Sequence, residues 1–237
     1  MILFPAIDLY EGKAVRLFRG DYAQMTVYSD RPEEIGKDFA EKGATHVHLV
    51  DLEGARDGTT PNLDTVLRIR EEAGLFCEIG GGIRSMRTVD AYLAAGLDRV
   101  ILGTAAVEDR KFLLQALEKY GEKIAVGVDV RDGFVAVKGW TESSGLKFMD
   151  FCGEMEGCGV RTLICTDISR DGAMRGTNRE MYRTLSESLK LQITASGGVS
   201  TLEDVRSLRE MGLYGAIIGK AYYTGDIDLK KAIEVAR

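Results

Sequence analysis

The chain opens Met1-Ile2-Leu3-Phe4-Pro5-Ala6-Ile7-Asp8, an apolar run that ends on a carboxylate. So short a run cannot span a bilayer, and it lacks the basic flank and small-residue cleavage site of a secretion signal. It reads as a buried strand with an acid at its C-terminal end. The same device returns at Ile124-Ala125-Val126-Gly127-Val128-Asp129. In both copies a glycine, Gly12 or Gly133, stands four positions after the aspartate.

Similar apolar runs recur along the chain. With Ile2–Asp8 and Ile124–Val130, the strand candidates are His46–Asp51, Phe76–Ile79, Arg99–Leu102, Thr162–Thr166, Gln192–Ala195 and Gly215–Ile218. Between them lie segments amphipathic at a period near 3.6. These are Pro32–Lys42, Leu63–Glu72, Met86–Ala95, Lys111–Tyr120, Lys147–Gly157, Arg179–Leu189, Leu202–Met211 and Asp228–Val235. Strands alternating with helices imply βαβ units and a parallel sheet. Eight such units in this length fit an α/β chain folded as one (β/α)8 TIM barrel over residues 1–237. An open doubly wound sheet is disfavoured, because no GxGxxG follows the first strand.

An internal repeat supports the barrel. Asp51 and Asn62 correspond to Asp167 and Asn178, Gly81-Gly82 to Gly197-Gly198, and Gly103 to Gly219, each pair offset by 116 residues. Asp8 and Asp129 are offset by 121, so one half carries about five extra residues near its start. The halves, about 1–120 and 121–237, read as two copies of one half-barrel.

Composition narrows the function. A net charge of −6 on 237 residues argues against a nucleic-acid partner, which would need a basic face, and nothing suggests a membrane. Cys77, Cys152, Cys158 and Cys165 show no CxxC spacing, which fits reduced thiols and a cytoplasmic location. His46 and His48 alternate on one strand with no cysteine pair nearby, so they read as structural and no metal site is expected.

In a (β/α)8 barrel the C-terminal strand ends converge on the active face. Ser196-Gly197-Gly198 after strand seven and Gly219-Lys220 after strand eight suit a phosphate cradle of backbone N–H groups. Gly81-Gly82 and Gly103-Thr104 repeat it on the other side, which predicts a ligand with a phosphate at each end. Arg16 and Arg84 either add contacts to these anions or are solvated surface arginines. Asp8 and Asp129, equivalent in the two halves, should meet one substrate from two sides as an acid–base pair. Only one of Thr166 and Asp167 can face the interior, and Asp171 in the next loop can reach the centre. Asp51 reads as an anchor of the second strand end. Trp140, the single tryptophan, follows the alternation Phe134–Val137 of a possible hairpin. It either stacks on a flat heteroaromatic ring or anchors its loop.

With these motifs assembled, the chain resembles the isomerase family of histidine biosynthesis that acts on phosphoribosylformimino-aminoimidazole carboxamide ribotide (ProFAR). The resemblance runs from Pro5-Ala-Ile-Asp8 through Gly12-Lys-Ala-Val-Arg16, Gly80-Gly-Gly-Ile-Arg84, Gly127-Val-Asp129, Gly139-Trp140 and Thr166–Gly172 to Ser196-Gly-Gly198. The related cyclase subunit of imidazole glycerol phosphate synthase usually has a cysteine before its first aspartate, where this chain has Ala6-Ile7. It also usually has a lysine after that aspartate, where this chain reads Val15-Arg16-Leu17. The resemblance implies an aldose–ketose isomerisation, an Amadori rearrangement, with no metal or organic cofactor and a bis-phosphorylated ribotide as substrate. It implies Asp8 as base, Asp129 as acid with Asp171 as rival, and Thr166 as support for the substrate. A monomer is expected. A bifunctional relative that also isomerises phosphoribosyl anthranilate is the alternative, and there Lys138 would meet the anthranilate carboxylate.

Overall fold

The computed structural model describes residues 1–18, 20–173 and 176–237. In chain order its strands are β1 (Ile2–Tyr10), β2 (Lys13–Phe18), β3 (Asp21–Ser29), β4 (His46–Asp51), β5 (Phe76–Gly80) and β6 (Arg99–Leu102). They continue as β7 (Ile124–Arg131), β8 (Phe134–Val137), β9 (Glu142–Lys147), β10 (Thr162–Asp167), β11 (Gln192–Ser196) and β12 (Gly215–Ile218). The parallel ladder runs β1-β4-β5-β6-β7-β10-β11-β12 and closes where Ile2–Pro5 pairs with Gly215–Ile218. Among the described residues, these eight strands form a closed (β/α)8 barrel.

The remaining strands extend the barrel at its mouth, and the sequence periodicity does not reveal β2, β3 or β9. The exposed residues of β3 and β9 show no alternation between core and solvent. Ladder pairing holds them instead. The end of β1 pairs antiparallel with β2, Asp8 opposite Val15, and β2 pairs with β3. On the opposite side β7 pairs with β8 and β8 with β9, so the expected hairpin has three strands. That pairing also corrects the expected start of the helix at Lys147: it begins at Phe148.

Helices pack on the outer face of the barrel. Several start where a side chain accepts an otherwise unpaired first-turn N–H. Ser85 accepts from Thr88, Asp109 from Phe112 and Asp228 from Lys231, while Thr201 and Asp204 form a reciprocal capping box. Three short helices, Leu52–Asp57, Thr104–Glu108 and Lys220–Tyr223, follow strand ends directly and were beyond the reach of periodicity. No described helix is long and apolar enough to cross a membrane.

Two apolar layers fill the fold. The outer layer lies between barrel and helices and includes Leu3, Ile7, Leu49, Tyr92 and Tyr182. A small inner plug of Phe4, Ala6, Ile101, Ala125, Ile164 and Ile217 fills the barrel below its mouth. The two layers come from alternate residues of the same strands, as the period of two requires.

Candidate active site

That alternation decides which strand-end side chains enter the mouth. Phe4 and Ala6 belong to the inner plug, so Asp8 points inward, and Ala125 sets Asp129 inward by the same parity. Ile164 does the same for Thr166, which faces the cavity while Asp167 turns outward. Val50 faces the cavity and Asp51 turns outward in the same way. The outward acids brace the loops. Asp51 accepts from Asn62 Nδ2 at 2.8 Å and from the Gly54 N–H at 2.9 Å, and Asp167 accepts from Asn178 Nδ2 at 2.6 Å.

One cavity of about 320 Å³ occupies the mouth, and every residue singled out above as catalytic or phosphate-binding lines it. β1 and β7 stand four places apart in an eight-strand ring, so Asp8 and Asp129 approach from opposite walls. The two glycine clusters, after β5 and β6 and after β11 and β12, occupy the other two sides.

Asp8 is ion-paired to Arg16 Nη1 at 2.9 Å, with both side chains about 15% exposed. Burial pushes the Asp8 carboxyl above its ordinary 3.8, and the Arg16 guanidinium opposes that rise while Asp171 adds to it. A Cβ on Gly219 would lie 2.0 Å from Arg16 Nη2, so glycine there is what lets the guanidinium rest against the loop after β12. Arg16 therefore joins one carboxylate to one glycine cluster.

Asp129 accepts from the Trp140 indole N–H at 2.8 Å. Burial pushes its carboxyl up, and the indole and the Thr166 hydroxyl pull it partly back down. Trp140 lies across the mouth with its six-membered ring against Gly20, where an added Cβ would come within 3.0 Å. Its loop is wound left-handed at Lys138, Gly139 and Trp140, with φ of 53°, 62° and 71°. The Lys138 N–H donates to Thr104 Oγ1 at 2.9 Å and fixes the loop to the end of β6. The Lys138 ammonium pairs with Glu142 at 2.8 Å rather than reaching inward.

The glycine clusters match in shape. Gly103 and Gly219 share an unusual backbone conformation, φ −96° ψ −110° and φ −102° ψ −108°. Gly82 and Gly198 both have positive φ and lie against backbone, where a Cβ would come within 1.6 Å of Gly54 O and 2.4 Å of Gly176 O. Arg84 Nη2 donates to Ala55 O at 2.9 Å, Lys220 Nζ donates to Gly172 O at 3.2 Å, and the Ser196 backbone exchanges hydrogen bonds with the Tyr182 hydroxyl. Asp171 lies in the turn after β10, its N–H bonded to Asp167 O at 3.1 Å.

One expectation needs correcting. His46 packs between Phe4 and Phe76 as a structural ring, but His48 lines the cavity. The signal was present in the sequence, since His48 has the parity of Val50 and points to the face opposite that of Asp51. Among the described residues, no three His, Cys, Asp or Glu side chains are grouped to hold a metal ion.

Comparison with known proteins adds a relationship. Residues 2–228 match the family model described as "Histidine biosynthesis protein". A protein of Listeria monocytogenes serotype 4b is 48% identical over 99% of this chain and 98% of its own length. It is described as 1-(5-phosphoribosyl)-5-((5-phosphoribosylamino)methylideneamino)imidazole-4-carboxamide isomerase. Proteins of the same description from Oceanobacillus iheyensis and Clostridium botulinum are 47% and 45% identical, each over 99% of this chain.

Proposed function

The chain belongs to the histidine biosynthesis protein family, and on that premise we propose that it isomerises ProFAR, an aminoaldose, to the corresponding aminoketose. The observation that carries the reading is the pair of buried carboxylates on opposite walls of one cavity, between two glycine clusters of matching backbone shape. The clusters fit a substrate with a phosphate at each end.

Asp129 acts as the acid and Asp8 as the base. Asp129 gives its proton to the ribose ring oxygen, which becomes a hydroxyl as the ring opens to a Schiff base. Asp8 then takes the proton from C2, and the resulting enolamine takes a proton at C1 while its C2 hydroxyl gives one up, leaving the ketose. No atom is gained or lost. The environments differ in the sense these roles need: burial raises both carboxyls, and at Asp8 the Arg16 guanidinium opposes the rise. Thr166 and Trp140 hold the Asp129 carboxylate in place. Asp171 is the rival acid, but it stands in a turn rather than on a strand. Its negative charge pushes both aspartates up, which helps to keep the acid protonated.

The test is turnover of the ribotide by wild type and by Asp8→Asn, Asp129→Asn and Asp171→Asn, with phosphoribosyl anthranilate in parallel. Losses of about 10²-fold or more at positions 8 and 129, with a smaller loss at 171, are expected. Full activity in Asp129→Asn would hand the acid role to Asp171. Turnover of both substrates would make the enzyme bifunctional. If neither substrate reacts, the isomerase reading falls.

A further inference from the structure

The barrel interior holds a buried charge chain that the acid–base steps do not use. His48 on β4, Glu78 on β5 and Arg99 on β6 are direct register neighbours, His48 opposite Glu78 and Glu78 opposite Arg99. His48 Nδ1 and Glu78 Oε1 are 2.8 Å apart, and Arg99 Nη1 donates to the other Glu78 oxygen at 3.2 Å. Glu78 is 0% exposed and Arg99 lies over Phe76 and Tyr214. We propose that this chain exists to aim His48, and that His48 Nε2 accepts a hydrogen bond from a hydroxyl of the opened ribose chain of the substrate. The inference rests on the isomerase reading.

Three observations carry it. First, the barrel does not need these charges to close. The same three register positions in the second half are Ile164, Thr194 and Gly215, small or apolar side chains that fill the space without an ion pair. A buried ion pair adds little stability over packed apolar side chains, so stability alone is a poor reason to keep one.

Second, the chain fixes the imidazole tautomer. Glu78 accepts from Arg99, so it also accepts from His48, and the Nδ1–H is the donor. In the neutral imidazole Nε2 then carries the lone pair. Among the described residues no group meets Nε2, and the His48 side chain is 13% exposed, towards the cavity.

Third, the position suits the chemistry. His48 stands opposite Ala6 on β1, one layer below Asp8, and the small residues Ala6, Gly80 and Gly127 leave the floor open around it. Ring opening frees a new hydroxyl from the ring oxygen, and enolisation turns the C2 hydroxyl into an enol, both between the Asp8 and Asp129 carboxylates. A fixed acceptor on the floor would hold one of them while the acid and base work at the carbons beside it.

Two substitutions separate contact with substrate from mere support of Glu78. In His48→Asn the amide nitrogen takes the place of Nδ1, keeping a donor for Glu78 and losing Nε2. In His48→Gln the amide reaches the place of Nε2 and gives up the contact with Glu78. We expect kcat for the ribotide to fall about 10²-fold in His48→Asn with the melting temperature unchanged. We expect His48→Gln to keep more activity while losing stability. Wild-type kcat and KM in His48→Asn would overturn the proposal. Independently of turnover, the Nε2 resonance of ¹⁵N-labelled wild-type His48 should move when the ribotide binds. An Nε2 signal that stays put while other cavity residues respond would also overturn it. Failure of wild type to isomerise the ribotide would sink the isomerase reading instead, and this titration would still decide whether Nε2 meets the ligand.

Discussion

Asp129 holds its proton more tightly in the folded chain than in the unfolded one, because burial penalises the anion. Its contribution to stability is therefore full below the ordinary aspartate value of 3.8 and is lost as pH rises through the folded value. At neutral pH the ionised group works against folding. Asp129→Asn should accordingly melt higher than wild type at pH 7, by on the order of 1 kcal/mol, and the gap should close as pH falls below 3.8. Thermal melts across that range check it. Asp8→Asn should gain less than Asp129→Asn, since burial raises the Asp8 carboxyl too but the Arg16 guanidinium left without its anion opposes the gain. Two glycines make a second contrast. An added Cβ at Gly82 meets the fixed carbonyl of Gly54, so Gly82→Ala should prevent normal folding of the loop. At Gly219 it meets only the end of the flexible Arg16 side chain. Gly219→Ala should thus keep the fold within about 1 kcal/mol while moving Arg16 off Asp8 and cutting kcat/KM. Circular dichroism and steady-state kinetics on the two alanine variants separate these outcomes.

The loop after β7 is an element whose geometry depends on its contacts. Lys138 and Trp140 hold left-handed backbone that costs of order 1–3 kcal/mol per non-glycine residue and persists only where the surroundings compel it. The surroundings are Thr104, Gly20 and Asp129. The indole N–H favours the ionised form of Asp129, so its removal should raise that carboxyl further. Trp140→Phe should therefore shift the alkaline limb of the kcat/KM profile of the isomerase to higher pH, besides lowering its height. A limb that stays in place would detach Trp140 from the acid. The outward acids are elements' anchors of another kind. Asn62→Ala would leave the fully buried Asp51 carboxylate short of a partner and should cost about 1–3 kcal/mol, read by denaturant unfolding. These loops also explain what periodicity could not reach. β3 and β9 are exposed along most of their length, so no buried face marks them in the sequence.

For the whole molecule, the two glycine clusters lie on opposite sides of a ring whose strands come from both halves of the chain. A ligand that engages both clusters ties the halves together, whereas a monophosphate engages one. The bis-phosphorylated ribotide should raise the melting temperature well above what a ribose monophosphate achieves at the same concentration. Saturation at about 100 times Kd corresponds to about 2.7 kcal/mol. Equal shifts from both ligands would leave one cluster without a phosphate. The backbone at Gly103 matches that at Gly219, and the Asp51–Asn62 brace matches Asp167–Asn178, whereas the charge chain stands in one half only.

The barrel was legible in the chain because burial writes its period onto the residues. Apolar runs ending on Asp8 and Asp129, glycines repeated at a spacing of 116, and helices at period 3.6 leave few ways to bury those faces other than a closed parallel sheet. The same patterns marked the residues of the cavity, since the C-terminal strand ends of a barrel must converge. Tertiary structure alone decided what depends on neighbours distant in sequence. It turned Thr166 inward and Asp167 to Asn178, seated Arg16 against Gly219, and hung Trp140 on Asp129. It also brought His48 to the cavity floor through Glu78 and Arg99. Periodicity reports only whether a side chain is buried; which group it meets there is set by strand register and by packing across the barrel.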